Sequence, residues 1–212
     1  DWAQLPATVI ERNDTVLATV HLATADNMLF ACYSVVDASP LENRGQNPPN
    51  HFTEGDALDL YLGPWREDTG PRPIAGDLRL LVVPFKQDPV AYLYRPVARD
   101  AGAEKETEFW SPVRSVVFDF VTRLSDVDIA CRQTDTGYVC EFAIPLDTLT
   151  VDLGKTARLL GDVGVLFSND GGMYTAQRCY YYAKASTTVS DLPTEAELRP
   201  DRWGPVIVEH RH

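Results

Sequence analysis

Hydrophobic and polar residues alternate along most of this chain with a period of two residues, and no stretch keeps the 3.6-residue period of a helix. β-Branched and aromatic residues are concentrated in the alternating stretches, and segments rich in Pro, Gly and Asn separate them. This pattern predicts an all-β protein of about ten strands with little helix. We expect a two-sheet antiparallel β-sandwich, immunoglobulin-like or jelly-roll-like, that forms one domain over residues 1–212.

Turn-forming residues divide the alternating stretches into strands and hairpins. The polar segment Thr24–Asn27 and the loop Asn169–Gly172 are typical of hairpin turns, whereas residues 38–54 and Ala98–Pro112 are predicted loops. A helical turn is expected within Pro145–Leu153. The predicted strands are Thr15–Ala23, Met28–Val36, Asp56–Leu62, Leu78–Phe85, Val90–Val97, Val113–Val121, Val127–Cys131, Tyr138–Ile144, Val163–Ser168, Tyr174–Ala183 and a short Val206–Val208.

Asp56–Leu62 shows the alternation most clearly. One face of this strand carries only leucines, and the other carries Ala57, Asp59 and Tyr61. The next strand, Leu78–Phe85, is apolar on both faces except at Arg79, which predicts a central place in its sheet.

The net charge and the lengths of the apolar stretches disfavour some classes of binding partner. The formal net charge is -12, from 31 acidic and 19 basic residues, and such a surface repels nucleic acid and anionic lipid. The longest apolar stretch, Leu80–Phe85, is far shorter than the roughly 20 residues of a membrane-spanning helix, so we expect no membrane insertion. The chain begins at Asp1 without an apolar leader, and any export signal is therefore expected to have been removed or to lie upstream.

Two of the four cysteines could form a disulfide. Cys131 and Cys140 flank the turn Thr134–Gly137, and a two-residue loop there would place them opposite each other across a hairpin. The alternative is that all four cysteines are small buried apolar side chains, because cross-strand neighbours bridge only in the right orientation.

The common signatures of catalysis are missing. There is no nucleophile elbow, phosphate-binding loop, dinucleotide fingerprint or HExxH motif. His21 and His51 are isolated and the other two histidines lie at the C-terminus, which disfavours a histidine triad or metal cluster. The many carboxylates are not themselves evidence for acid-base catalysis. We therefore expect a protein that is not an enzyme.

Several motifs, in order, resemble carbohydrate-binding module family 9 (CBM9). The resemblance spans most of the chain, and its weight comes from the order of short motifs. The matching segments are Cys32–Asp37 with Ser39 and Pro40, Phe52–Leu62, Gly161–Gly164, Arg178–Tyr180, and Asp191–Ala196 followed by Trp203 and Gly204.

The resemblance implies a β-sandwich on an exported, extracytoplasmic protein, often one domain of a larger chain and often holding a structural calcium ion; no cofactor is implied for binding. Members that bind sugar hold it between two aromatic rings, with a carboxylate and an arginine on its hydroxyls. Asp59 matches the position of the family's carboxylate, where the family usually has Glu. The tryptophan that precedes it in the family has no counterpart, because Phe52 and Thr53 occupy that stretch.

A candidate carbohydrate site follows from what a sugar requires, namely aromatic planes for its C–H faces and charged groups for its hydroxyls. If their strands are neighbours, one sheet face would present a carboxylate, a guanidinium and several rings to a mono- or oligosaccharide. The alternative is an Asp–Arg ion pair over a core lined by tyrosines. The candidate residues are Asp59, Tyr61, Arg79, Arg178, Tyr180, Tyr182 and, from a predicted loop, Trp110.

Other possibilities remain open. Asp26, Asp37 and Asp170 lie in or near turns and are weak candidates for calcium ligands. An interaction or spacer domain with a degenerate ligand face would have Asp59 and Arg79 covered by protein. Haem-binding sandwiches of the same broad DOMON-like type use Met and Lys ligands, and a haem-binding electron-transfer module would require residues such as Met28 and Lys184.

Overall fold

A computed structural model describes residues 1–85, 88–98, 102, 106–149, 158–185 and 190–206, together with the backbone of 209–210. Its strands, numbered in chain order, are β1 (Thr8–Arg12), β2 (Thr15–Ala25), β3 (Met28–Val36), β4 (Ala57–Pro64), β5 (Leu78–Val83), β6 (Val90–Arg95), β7 (Thr107–Trp110), β8 (Ser115–Phe118), β9 (Phe120–Arg123), β10 (Asp128–Thr134), β11 (Gly137–Pro145), β12 (Leu159–Ser168), β13 (Thr175–Tyr180), β14 (Gly204–Val206) and β15 (Glu209–His210).

The described helices are few and short. They are α1 (Leu146–Leu149), α2 (Leu192–Ala196) and the 3₁₀ turns Trp2–Gln4, Pro48–Thr53 and Pro200–Arg202. The all-β prediction is thereby confirmed.

The strands form two large sheets. The first has the order β1-β2-β3-β11-β10, with β15 beside β2. The second has the order β13-β12-β4-β5-β6-β9, with β14 beside β12, and β5 has the central place predicted for it. Asn13, Asp14, Asp26 and Asn27 have positive φ angles, which fit the tight turns that join β1 to β2 and β2 to β3.

The main core lies between the two sheets, where alternate residues of neighbouring strands meet. The second sheet supplies Leu58, Leu60 and Leu62 of β4, as their spacing predicts. The first sheet supplies aromatic and branched side chains such as Tyr33 and Phe142. This core contacts water very little and is almost entirely apolar.

A second core covers the opposite face of the second sheet. Three segments distant in sequence pack there: the 3₁₀ turn Pro48–Thr53, the β7–β8 hairpin and the chain around α2. Phe52, Phe109 and Phe118 are among its fully buried side chains. The molecule therefore has a layer of loops over one sheet, which the alternating pattern does not predict.

Two predicted elements require correction. The stretch Val113–Val121 is not one strand, because the chain bends at Asp119, whose carboxylate accepts a hydrogen bond from the Ala98 N–H at 2.8 Å. Its two halves, β8 and β9, belong to different sheets. Ala98–Pro112 is not entirely a loop, since Trp110 ends strand β7. The helical turn expected within Pro145–Leu153 is α1, while residues 150–153 of that range and residues 207–208 of the last predicted strand lie outside the described residues.

Cys131 and Cys140 form a disulfide with an S–S distance of 2.02 Å. They are directly opposite each other in the β10–β11 pair, as the hairpin prediction requires. Cys32 and Cys179 are buried free thiols.

Candidate ligand-binding site

The outer face of the second sheet brings together most of the predicted site residues. Tyr61 of β4 pairs with Arg79 of β5, and Gly164 of β12 lies between Asp59 and Tyr180 of its two neighbouring strands. Because alternate residues point to the same side, these side chains form one polar cluster within the second core.

Asp59 and Arg79 form a two-pronged ion pair at the centre of the cluster. The Arg79 Nε lies 2.7 Å from Asp59 Oδ1, and Nη2 lies 2.9 Å from Oδ2. The Phe52 ring lies under the guanidinium, with its centroid 4.5 Å away. Both charged residues are 0% exposed. Charges taken out of water in this way are tolerated only when paired and hydrogen-bonded.

Two tyrosines extend the cluster. The Tyr180 hydroxyl donates to Asp59 Oδ2 at 2.8 Å, and the Tyr61 hydroxyl lies 3.4 Å from the same oxygen. Burial raises the pKa of Tyr61 to about 12 and the pKa of Tyr180 well above its usual value, and the Asp59 charge adds to both shifts. Both phenols therefore keep their protons at any physiological pH.

Gly164 makes room for the Tyr180 ring. A Cβ atom at this position would lie 2.3 Å from ring atoms of Tyr180, so only glycine lets the ring lie against β12. The small residue in the Gly161–Gly164 motif thus positions a site residue.

The segment around α2 closes the cluster from above. The Glu195 backbone carbonyl accepts hydrogen bonds from Arg79 Nη1 at 3.2 Å and Arg178 Nη1 at 3.4 Å. The Glu195 carboxylate contacts Arg178 Nε and accepts from the Ser190 N–H. Arg178 Nη2 donates to the Phe52 carbonyl at 2.9 Å. The two arginines are thus held by two carboxylates and by backbone carbonyls of the covering layer.

A pocket of about 300 Å³ opens between the sheet and this segment. Its floor comes from the sheet and its wall from the chain around and after α2. Trp203 packs against Tyr61 with a centroid separation of 5.5 Å. The lining residues are Tyr61, Asp162, Arg178, Tyr180, Ala183, Ala185, Ser190, Thr194, Glu195, Glu197, Arg199, Arg202 and Trp203.

Asp162 is a buried carboxylate at the edge of this pocket. It accepts hydrogen bonds from the N–H groups of Val163, Tyr182 and Ala183 at 2.9, 3.0 and 2.9 Å. Burial outweighs these bonds and raises its pKa to about 7. Its hydrogen bonds connect β12 to the chain that follows β13.

Comparison with known proteins gives a match of fold only. No family model matches the chain, and no curated protein matches its sequence. Its structure is similar to a CBM9 module from Caldicellulosiruptor kristjanssonii in complex with cellotriose, at 13% identity and a TM-score of 0.56, over 100% of this chain and 86% of that one. A CBM9 module of the same organism in complex with glucose matches at 12% identity and 0.53, over 100% and 87%.

The chain has a CBM9-like β-sandwich fold. The resemblance inferred from the ordered motifs is therefore confirmed at the level of the fold.

Within this CBM9-like fold, the predicted site residues separate into three groups. Arg178, Tyr180 and Tyr61 line the pocket. Asp59 and Arg79 are neighbours on one sheet face, as predicted, but the expectation that this face exposes them is wrong. The covering layer buries them beneath the pocket.

Tyr182 and Trp110 lie outside the pocket. Tyr182 follows β13, is 38% exposed, donates to the Pro205 carbonyl and lines a separate cavity of about 210 Å³. Trp110 is 66% exposed, on the β7–β8 hairpin. The prediction of one shared surface does not hold for these two rings.

The pocket also contains residues that the sequence prediction missed. Trp203 belongs to the last matching motif but was not among the candidate residues, and it packs on Tyr61 and lines the pocket. Asp162 could have been found from alternation, because it is two residues from Gly164 and thus on the same face. Glu195 had no such signal, because it lies in a segment without periodicity.

The calcium candidates do not converge. Asp26 and Asp37 flank the nine-residue strand β3, and at about 3.3 Å per residue they are about 30 Å apart. Asp170 is exposed, and Asp37 Oδ1 accepts from the Ser39 N–H and hydroxyl. Among the described residues no group of three or more His, Cys, Asp or Glu could hold a metal ion. Three acidic ligands for calcium are thus not assembled here, and calcium binding stays a prediction.

Two further expectations concern other partners. In the described part of the chain, no helix is long and apolar enough to cross a membrane. Met28 starts β3 in the first sheet, whereas Lys184 follows β13 in the second, and neither lines the cavities described above. Haem binding stays a hypothesis.

Proposed function

We propose that this chain is a noncatalytic carbohydrate-binding module that holds a mono- or oligosaccharide in the pocket between the second sheet and the α2 segment. The observation that carries the proposal is the lining of this pocket, where the rings of Tyr61, Tyr180 and Trp203 adjoin charged side chains. Aromatic planes suit the C–H faces of a sugar, and charged groups bind its hydroxyls. A volume of about 300 Å³ is at the small end of the range for ligand pockets.

The comparisons support this class of ligand. Both CBM9 structures with the same fold are named as carbohydrate-binding modules, one solved with cellotriose and the other with glucose. Fold alone does not establish function, so the support comes from the fold and the pocket together.

The pairing of charges supports binding without chemistry. Arg178 contacts Glu195, Glu197 lies 2.9 Å from Arg114, and Arg199 holds Asp201 with two bonds. Glu195 and Glu197 are thus engaged in ion pairs, and the common catalytic motifs are missing from the sequence.

The disulfide supports the further proposal that the domain works outside the cytoplasm. Cys131–Cys140 requires an oxidising compartment to form and persist. We propose that the domain is part of an exported protein, and mass measurement of protein taken from the native compartment, with and without reductant, tests the bond.

Isothermal titration against glucose, cellotriose and a wider panel of sugars tests the function. Trp203→Ala should weaken binding by at least about tenfold, because it removes an aromatic wall. Trp110→Ala is the matched control, since it removes a tryptophan outside the pocket and should leave affinity unchanged.

Ser190→Trp provides a second variant that fills the pocket without deleting a wall. Near-ultraviolet circular dichroism should show that all three variants keep the native fold. A panel that is silent throughout, or affinity lost in Trp110→Ala and kept in Trp203→Ala, would contradict the proposal.

A second candidate is an interaction or spacer domain with a degenerate ligand face. The observation that favours it is the complete burial of Asp59 and Arg79 under the covering layer. This candidate predicts no heat of binding with any sugar, while the wild-type protein remains folded.

A further inference from the structure

The buried ion pair controls where protons can lie at the pocket floor. Because the Asp59 carboxylate is paired with Arg79, its two oxygens accept hydrogen bonds and donate none. At the 2.8 Å contact with Tyr180, the proton must therefore come from the phenol. Asp59 is 0% exposed, so this acceptor is shielded from solvent.

Tyr61 is constrained in the same way. Its hydroxyl lies 3.4 Å from Asp59 Oδ2 and 3.5 Å from the Tyr180 oxygen. The Tyr180 proton is already engaged with Asp59, so Tyr61 donates its single proton to one of these two oxygens. In either arrangement the Tyr61 proton points into the cluster, and a lone pair of the Tyr61 oxygen is left for a ligand.

The donors of Arg178, which lines the same pocket, are also largely engaged. Nη1 contacts the Tyr180 oxygen at 3.3 Å and the Glu195 carbonyl at 3.4 Å, Nη2 donates to Phe52, and Nε contacts the Glu195 carboxylate. Arg178 therefore has few donors left for a ligand, and the acceptors that remain at the pocket floor are the lone pairs of Tyr61 and Tyr180 that these contacts do not use.

We propose that Asp59 is a positioning residue, which fixes the phenols of Tyr61 and Tyr180 as hydrogen-bond acceptors and so makes the pocket select a ligand hydroxyl that donates. The proposal rests on the proposed carbohydrate function. Asp59 acts by orienting the two tyrosine hydroxyls and does not itself contact the sugar. A fully covered residue can in this way determine which ligand the pocket binds. A carboxylate-polarised phenol is a strong acceptor.

Glucose and its monodeoxy and monodeoxyfluoro derivatives at positions 2, 3, 4 and 6 provide the test. Fluorine can accept but cannot donate, so at the position facing the phenols both derivatives should bind at least about tenfold more weakly than glucose. Tyr61→Phe/Tyr180→Phe keeps both rings and removes both phenol oxygens, and it should bring the three ligands to within about twofold of one another. Asp59→Leu/Arg79→Met removes both charges and also the oxygens that accept from the phenols, so the phenols are free to donate and the fluoro derivative should regain affinity relative to the deoxy derivative.

A fluoro derivative as tight as glucose at every position, or full discrimination retained in Tyr61→Phe/Tyr180→Phe, would overturn the proposal. A merely structural role for Asp59 would lower stability and would leave the ratio of fluoro to deoxy affinities unmoved.

A measurement without ligand separates this proposal from the proposed function. Proton NMR of the wild-type protein should show a slowly exchanging Tyr180 hydroxyl proton with a nuclear Overhauser effect to the Asp59 β-protons, assigned by its loss in Tyr180→Phe. If that signal is present and no glucose derivative binds, the proton arrangement stands and the carbohydrate function fails. A hydroxyl proton that exchanges at solvent rates, or shows no contact with Asp59, would contradict the arrangement itself.

Discussion

The two faces of the second sheet support cores of opposite character. Toward the first sheet, β4 presents Leu58, Leu60 and Leu62 to an apolar core. Toward the covering layer, the same strand presents Asp59 and Tyr61 to a core that encloses two arginines and two carboxylates. Both cores exclude water, but only the second adjoins the pocket.

The difference separates stability from specificity. Apolar burial stabilises in proportion to area and is tolerant of geometry, whereas buried ions stabilise only when every partner is in place. The polar core therefore contributes little net stability for its size, but it fixes the orientation of Tyr180, Arg178 and Glu195 at the pocket. We expect the two cores to respond differently to substitution.

The largest effect is expected from breaking the buried pair. Asp59→Ala should lower the free energy of unfolding by about 3–5 kcal/mol, because it leaves the Arg79 guanidinium buried without its counter-charge. Urea unfolding followed by tryptophan fluorescence measures this loss.

The matched comparison is Leu60→Ala, one residue along the strand and in the other core, with an expected loss of about 2–5 kcal/mol. Adding Arg79→Met should recover much of the loss from Asp59→Ala and none of the loss from Leu60→Ala. If Arg79→Met rescues both variants equally, or neither, the contrast between the two cores is wrong.

A smaller, pH-dependent effect is expected at Asp162. Its pKa in the folded protein is raised to about 7, above the usual value of 3.8, so the folded state binds the proton more tightly than the unfolded state. Stability from this group is therefore present below pH 4 and is lost as the pH rises through about 7, with a size on the order of a few kcal/mol.

Urea unfolding of the wild type and Asp162→Asn at several pH values between 4 and 8 measures this dependence. The variant should show a flatter profile across that window. Asp56, whose pKa burial raises to about 6, contributes in the same direction and remains in both proteins, so the difference between them isolates Asp162. Identical slopes in the two proteins would show that Asp162 does not titrate there.

Alternation in the sequence predicted which residues share a face, but it could not predict what covers that face. The leucines of β4 and the central place of β5 followed from period-two spacing, and the Cys131–Cys140 pair from a hairpin turn. A face with Asp59, Tyr61 and Arg79 is typical of solvent exposure. Its burial depends on the turn at Phe52, on the β7–β8 hairpin about 50 residues beyond Asp59 and on the helix at Glu195 about 135 residues beyond it, and no local period connects these segments to the face.

The smallest effect is expected at an exposed ion pair that matches the buried one in residue type. Arg123 Nη2 lies 3.4 Å from Asp88 Oδ2, with side chains 57% and 84% exposed. Water and salt screen such a pair, and Arg123→Ala should change the free energy of unfolding by less than about 1 kcal/mol. Urea unfolding at low and at physiological salt measures the change, which should shrink further as salt is added. A loss comparable to that of Asp59→Ala would mean that burial does not distinguish the two pairs, and that the polar core owes its sensitivity to some property other than desolvation.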